Sequence, residues 1–257
     1  LYTKDMNGPE DAQRFTNDVL NAPDREMHGS AQVDFIVEAL SQSKASGQPW
    51  RLLGNQVVMG KLHTADMTPH VVEESIVALE KDWPGVRDFV RNSAFGLPIY
   101  PDSWDGYPWA REQFYKRLQS AGVTDLVVVT GDAHEFWAND LTSDDGTKMG
   151  VELGTTSVTS PTLVSYFGDA TADYSLLVTQ ANPDVRYYNA LHNGYIDLTF
   201  NRKIARANLV TVDTVHSRDY SAGPAARFTV RPSGGSLKFT APKGLNLKQR
   251  ALFSGLG

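Results

Sequence analysis

Cysteine is absent from the 257 residues, which excludes a disulfide framework and thiolate metal sites within this chain. It leaves the compartment open, since exported proteins also do without cysteine. No stretch of about 18 apolar residues occurs, so no segment reads as membrane-spanning. Lys and Arg never gather into a run, and 24 basic residues face 30 acidic ones for a net charge of -6. A nucleic-acid scaffold role is therefore not the default reading. An initiator Met and a signal-peptide pattern are also lacking. Leu1-Tyr2-Thr3-Lys4-Asp5 is polar, and Leu1 reads as a cut end. What remains is ordinary for a globular chain, with 41% hydrophobic and 21% charged residues. At this length about three quarters of the unfolded surface can be buried, so the core needs no staple.

The chain has no internal repeat and no low-complexity tract. Residues 5–28 are polar loop with a short helix near 10–19. Residues 32–40 (QVDFIVEAL) place Val33, Phe35, Ile36, Val37 and Leu40 near one helical stripe. Residues 50–59 (WRLLGNQVVM) read as a buried strand around a polar dipeptide. A helix is expected over 71–81, ended by Trp83-Pro84-Gly85. Residues 95–108 are broken by Gly and Pro, 110–119 read as a helix, and Gly122 stops it. Residues 124–130 (TDLVVVT) are β-branched and apolar, the pattern of a strand buried on both faces. A β-rich region covers 195–214, with three or so short strands after it and then a basic tail. Helix-then-strand units with a β-rich end predict an α/β domain.

Two places carry candidate chemistry. In VVVTGDAHEFWAND (127–140) a buried strand ends in a glycine and then offers Asp132 and His134, two residues apart. Sites in α/β proteins lie at the carboxyl ends of strands. A carboxylate suits hard cations and an imidazole suits borderline metals. The competing reading is a turn Asp that caps the next element and a His that satisfies a backbone group. The second place is Asn55-Gln56, two amides inside an apolar run, which must be hydrogen-bonded or coordinated because an unpaired buried amide costs a few kcal/mol. Taken alone, these two residues read first as an amide pair bridging loops in the core. In DSWDGYP (102–108), Asp102, Asp105 and Tyr107 line a substrate mouth or belong to a structural loop held down by Trp104 and Tyr107. Arg111 is a bidentate phosphate donor or a partner of Glu112 or Asp105. Arg186 and the hydroxyls of Ser157-Val158-Thr159-Ser160-Pro161 are weaker phosphate candidates. His28, His63, His70, His192 and His216 read as surface or capping residues.

The Gly-Asn-Gln-Val block (54–57) resembles the metallophosphatase turn that carries a His ligand, and TGDAH (130–134) resembles the closing Gly-His-x-His motif with Asp132 in place of the first His. Both departures, together with DSWDGYP, SVTSP (157–161), NPDVRYYNALHNGY (182–195) and VDTV (212–215), are similar to the alkaline phosphatase D (PhoD-like) family of calcineurin-like metallophosphatases. The resemblance runs in order over most of residues 20–215.

The resemblance implies hydrolysis of phosphate mono- and diesters at a site holding Ca²⁺ with Fe³⁺, and the oxygen-rich replacements suit a hard cation. Carried over position by position, it makes Asn55, Asp132 and His134 the metal residues, with Gln56 beside them as support or as a substrate contact. Asp105, Tyr107 and Arg111 are the further substrate-binding candidates. It implies a four-layer αββα sandwich of which this chain supplies the C-terminal half. Residues 1–215 form part of the metallophosphatase domain, and 216–257 complete it. The family's opening aspartate, His-Glu and Cys-bearing blocks have no counterpart in residues 1–50. The expectation is an N-terminal half of the same protein, on a separate chain, that completes the site. The alternative is a non-catalytic fragment with a structural or regulatory role. A periplasmic or secreted location is implied by the family alone.

Overall fold

A computed structural model describes residues 6–162 and 174–243. Two sheets organise it. In the first, β1 (Arg51–Gly54), β2 (Leu126–Thr130) and β4 (Lys148–Gly154) run parallel. β3 (Phe136–Thr142) is antiparallel to both β4 and β5 (Val185–Asn189), giving the order β1-β2-β4-β3-β5. The apolar runs LVVVT and FWAND supply strands buried on both faces. Gly150 is required where β4 meets β2: its φ is 145, and a Cβ there would lie 2.1 Å from Leu126 O.

The second sheet is an antiparallel meander of β6 (Gly194–Phe200), β7 (Ala205–Val212), β8 (Ala222–Ser233) and β9 (Ser236–Lys243). Gly234 (φ 58) and Gly235 (φ 85) make the tight turn between Ser233 and Ser236, since two consecutive positive φ values suit the twist of a two-residue hairpin. Among the described residues, β8 and β9 stand where three or so short strands were expected, and the basic tail beyond them lies outside the described residues.

The sheets pack face to face. Val127, Phe136, Ala138, Val151, Leu153 and Tyr187 from the first meet Ala207, Leu209, Phe228, Val230 and Phe239 from the second. The other face of the first sheet carries helices. α2 (Ser30–Ala45) and α5 (Pro108–Ser120) cover Leu126, Val128, Leu141 and Met149. α3 (Glu73–Leu79), α4 (Val86–Ser93) and α6 (Tyr174–Ala181) cover Trp137 and Tyr188. α1 (Pro9–Phe15) continues through a π-helical turn to Leu20 and packs near Leu97. The α/β class holds, with three layers among the described residues. No helix among them packs on the outer face of the second sheet or is long and apolar enough to cross a membrane.

Two expectations are corrected. The strand expected over 50–59 ends at Gly54, because Asn55 makes one last sheet bond to Val129 O and the chain then turns away. Trp83-Pro84-Gly85, read as a stop, also opens α4, whose Val86 and Val90 are buried.

Candidate metal centre

Asn55, Asp132 and His134 belong to the carboxyl ends of two neighbouring parallel strands. Asn55 N donates to Val129 O (2.9 Å), and Gly131 N donates to Gln56 O (3.3 Å), so the two loops leave the sheet side by side. Asn55 is buried, and its Nδ2 donates to Val57 O at 2.6 Å. With the nitrogen committed to the chain, Oδ1 is the atom left for a cation. Asp132 (φ 68) and His134 (φ 60) are the only non-glycine residues with positive φ among those described. Each left-handed residue of this kind costs of order 1–3 kcal/mol and persists only where its surroundings impose it. Asp132 is exposed, and its carboxylate has no hydrogen-bond or ion-pair partner among the described residues. His134 Nδ1 lies 3.0 Å from Pro161 O. A carbonyl only accepts, so Nδ1 carries the proton and Nε2 presents its lone pair, the arrangement of a metal-binding imidazole oriented through its other nitrogen.

Buried polar groups hold this turn. Thr156 Oγ1 lies 2.7 Å from His134 O and 3.0 Å from His192 O, tying the histidine backbone to the end of β4. Glu135, fully buried, accepts the hydroxyl of Tyr100. Burial, reinforced by the Glu135 charge, pushes the phenols of Tyr100 and Tyr188 well above their usual value. Glu152, fully buried in β4, accepts Met59 N (2.7 Å), Gly60 N (2.9 Å), Asn139 Nδ2 (2.8 Å) and Thr130 Oγ1 (3.2 Å). Burial raises its pKa even against those donors. One carboxylate thus pins the loop after Asn55 to the strand end before Asp132.

The other candidates are placed differently. Asp105 and Arg111, expected at a substrate mouth, are buried (4% and 3% exposed) and paired at 2.8 Å. Asp105 Oδ2 also accepts Leu62 N, and Arg111 lies 3.4 Å from Met59 O and Gly60 O. Burial and this pairing leave neither open to a substrate in this arrangement. Tyr107 lies under Arg25, whose guanidinium sits 4.5 Å from the ring centre. Gln56 is exposed beside the turn. Arg186 and Lys148 pair with buried Asp140. Ser157 Oγ donates to Ser160 O, and Asn193 Nδ2 locks the same turn.

Sequence reasoning missed Tyr100, Glu135, Glu152, Thr156 and His192. Glu152 had a signal, a carboxylate inside an apolar strand, of the kind that drew attention to Asn55, and Glu135 stands just before such a strand. His192, read as surface or capping, is exposed; its carbonyl oxygen lies beside Thr156, and partial desolvation of its ring lowers its pKa. Among the described residues no three His, Cys, Asp or Glu side chains come together as a metal site. The donors suit part of a cation shell: an amide oxygen, a free carboxylate and an oriented imidazole nitrogen.

A family model described as PhoD-like phosphatase matches residues 2–209. The chain belongs to the PhoD-like phosphatase family. Alkaline phosphatase D of Bacillus subtilis (strain 168) is 27% identical over 201 residues, covering 76% of this chain and 28% of that protein. A solved structure of PhoD superposes with a TM-score of 0.59 at 20% identity, over 90% of this chain and 40% of the other. That likeness concerns the fold. The PhoD-like chain therefore spans under a third of its curated relative and two fifths of the solved one.

Proposed function

We propose that this chain supplies part of the active site of a phosphoric ester hydrolase acting on phosphate monoesters, diesters or both. The carrying observation is the Gly131–His134 turn, where an unpartnered carboxylate and an oriented imidazole sit beside Asn55 at the carboxyl ends of β1 and β2. Asn55 Oδ1, Asp132 and His134 Nε2 would contribute to a site for Ca²⁺ and Fe³⁺, the oxygens suiting the hard Ca²⁺. Such a pair, when bound, polarises phosphoryl oxygens and activates a water. The chain's own residues orient the donors: Pro161 O sets the His134 tautomer, Thr156 holds its backbone, and Glu152 fixes the Asn55 loop to β2.

The site is completed by an N-terminal half of the same protein. Three observations support this. Asn55, Asp132 and His134 alone do not fill a two-metal shell. Among the described residues β1 is an edge strand with a neighbour on one side only. The relatives are also much longer than this chain. The four-layer αββα arrangement belongs to that completed assembly, and a periplasmic or secreted location goes with the family. The alternative is a non-catalytic fragment with a structural or regulatory role, favoured by the lack of three clustered ligating side chains among the described residues.

The test is calcium titration of the chain by calorimetry, with p-nitrophenyl phosphate and bis(p-nitrophenyl) phosphate turnover before and after chelation. Calcium binding lost in Asp132→Ala and His134→Ala, and chelator-sensitive turnover when a co-purifying N-terminal polypeptide is present, are expected. A chain that binds no metal and gains no turnover with that polypeptide overturns the reading in favour of the fragment.

A further inference from the structure

β6 has the pattern of an interior strand but stands at an edge. It ends the order β6-β7-β8-β9, with β7 as its one neighbour among the described residues. Its residues pair with β7 without a register shift, from Gly194 opposite Thr211 to Phe200 opposite Ala205. The bonds flanking this ladder fix its phase. Val212 N donates to Asn193 O and Asn201 N to Ile204 O, both at 3.0 Å. Bonded and non-bonded residues alternate along an antiparallel pair, so Tyr195, Asp197 and Thr199 bond to β7. Gly194, Ile196, Leu198 and Phe200 turn their N–H and C=O away from it. Ser157 O takes the Gly194 N–H at 3.1 Å. The backbone groups of Ile196, Leu198 and Phe200 meet no partner among the described residues.

The same three residues carry the inward side chains. They pack toward the first sheet but stay half-buried, whereas Ala205, Ala207 and Leu209 of β7 are buried. A cleft of about 440 Å³ opens between Val129, Thr130 and Leu153 of the first sheet and Ile196 and Leu198 of β6. Its wall includes Thr156, which holds the His134 carbonyl. At the far end of β6, Trp50 meets Phe200 at 5.4 Å and donates to Asn201 O at 2.6 Å, bringing the start of edge strand β1 against β6. Folded proteins blunt a free strand edge with Lys, Pro or a bulge. The opposite edge strand, β9, carries Lys238 and a shifted register against β8. β6 has no Lys, no Pro and no shift, and its one charge, Asp197, is exposed on the outer side.

We propose that the β6 edge docks the N-terminal half of the protein, which adds a strand there by backbone pairing. This rests on the reading that such a half completes the site, and names where it attaches. The relatives are long enough to supply it, since this chain covers 28% of one and 40% of the other. A strand added to β6 lies about 4.8 Å from it. Its N–H and C=O groups meet those of Ile196, Leu198 and Phe200, and its alternate apolar side chains reach into the cleft against Val129 and Leu153, the mode of strand addition. Docked there, the added half stands beside Thr156 and the metal turn.

The test is amide hydrogen exchange of the whole chain, alone and with the N-terminal polypeptide, in chelator throughout. The amides of Ile196, Leu198 and Phe200 should exchange fast in the chain alone and at least about tenfold slower in the assembly. Those of Tyr195, Asp197 and Thr199 should be protected in both. Leu198→Pro removes an outward N–H and no bond to β7, so the chain should fold while docking weakens at least about tenfold. Leu198→Lys keeps the N–H, sets a charge in the cleft and should weaken docking as well; it carries the test if the proline variant does not fold. Phe35→Ser, at an exposed apolar residue of α2, should dock like the parent. The proposal is overturned by absence of docking, by an assembly in which the three amides stay fast, or by Leu198 variants that dock like the parent. Amides already slow in the chain alone also overturn it, and assign the edge to a second copy or to the chain itself. Docking that yields no turnover once calcium is restored counts against the hydrolytic reading alone.

Discussion

Asp132 holds a backbone conformation that only its surroundings impose, and its side chain makes no hydrogen bond in return among the described residues. Glycine adopts φ 68 without a steric penalty. Asp132→Gly should therefore leave stability unchanged or raise it by up to about 1 kcal/mol in urea unfolding, while calcium binding is lost. A clear drop in stability would instead assign the carboxylate a structural role. The opposite pattern is expected at Asp105 and Arg111. Arg111→Ala strands a buried carboxylate and should cost about 3–5 kcal/mol. Gln56→Ala, on the surface beside the same site, should stay within about 0.5 kcal/mol. Asn55-Gln56 and Asp132-Ala133-His134 were legible in the sequence because polar groups at the end of an apolar strand demand an explanation. The pairing of Asp105 with Arg111 was legible only as one of several partners, since six residues of chain do not say which way a side chain turns.

At the scale of elements, Glu152 is the tie between the loop after β1, the end of β2 and the middle of β3. Glu152→Gln keeps the shape but turns an NH₂ toward at least one N–H or hydroxyl donor. Each donor left unsatisfied costs about 1–3 kcal/mol. The variant should lose stability in urea unfolding and show weakened calcium affinity through the displaced Asn55 loop. Loss of stability with unchanged calcium affinity would confine Glu152 to a packing role. Buried TDLVVVT could be read as a strand from composition alone. The β3–β4 hairpin could not, because Phe136–Thr142 mixes Asn139 and Asp140 into a strand, and their partners, Glu152 for Asn139 Nδ2 and Arg186 and Lys148 for Asp140, are met only in the fold.

For the molecule as a whole, pH acts through histidines that burial keeps neutral. Burial lowers the pKa of His28, packed edge-on to Trp104 at 5.1 Å, and that of His192. A histidine depressed in the fold takes its proton first in the unfolded chain. Its contribution is therefore complete above the unfolded value of about 6.5 and is lost as pH falls through the folded value. Melting temperature should fall as the pH drops from about 7 toward 5. In His28→Phe, which keeps an aromatic ring against Trp104, that decline should be shallower. An identical decline in both proteins would remove His28 as a contributor.

Sequence alone determined the family, the α/β class and the three residues of the candidate metal turn. Each of these is written locally, in motif spacing and in polar groups that interrupt apolar runs. Only the tertiary structure decided that Asp105 and Arg111 face each other, that Glu152 joins three strands, and that His192 lies beside His134's support. Strand register and burial set which side chains share a face, and both depend on contacts between segments far apart in the chain.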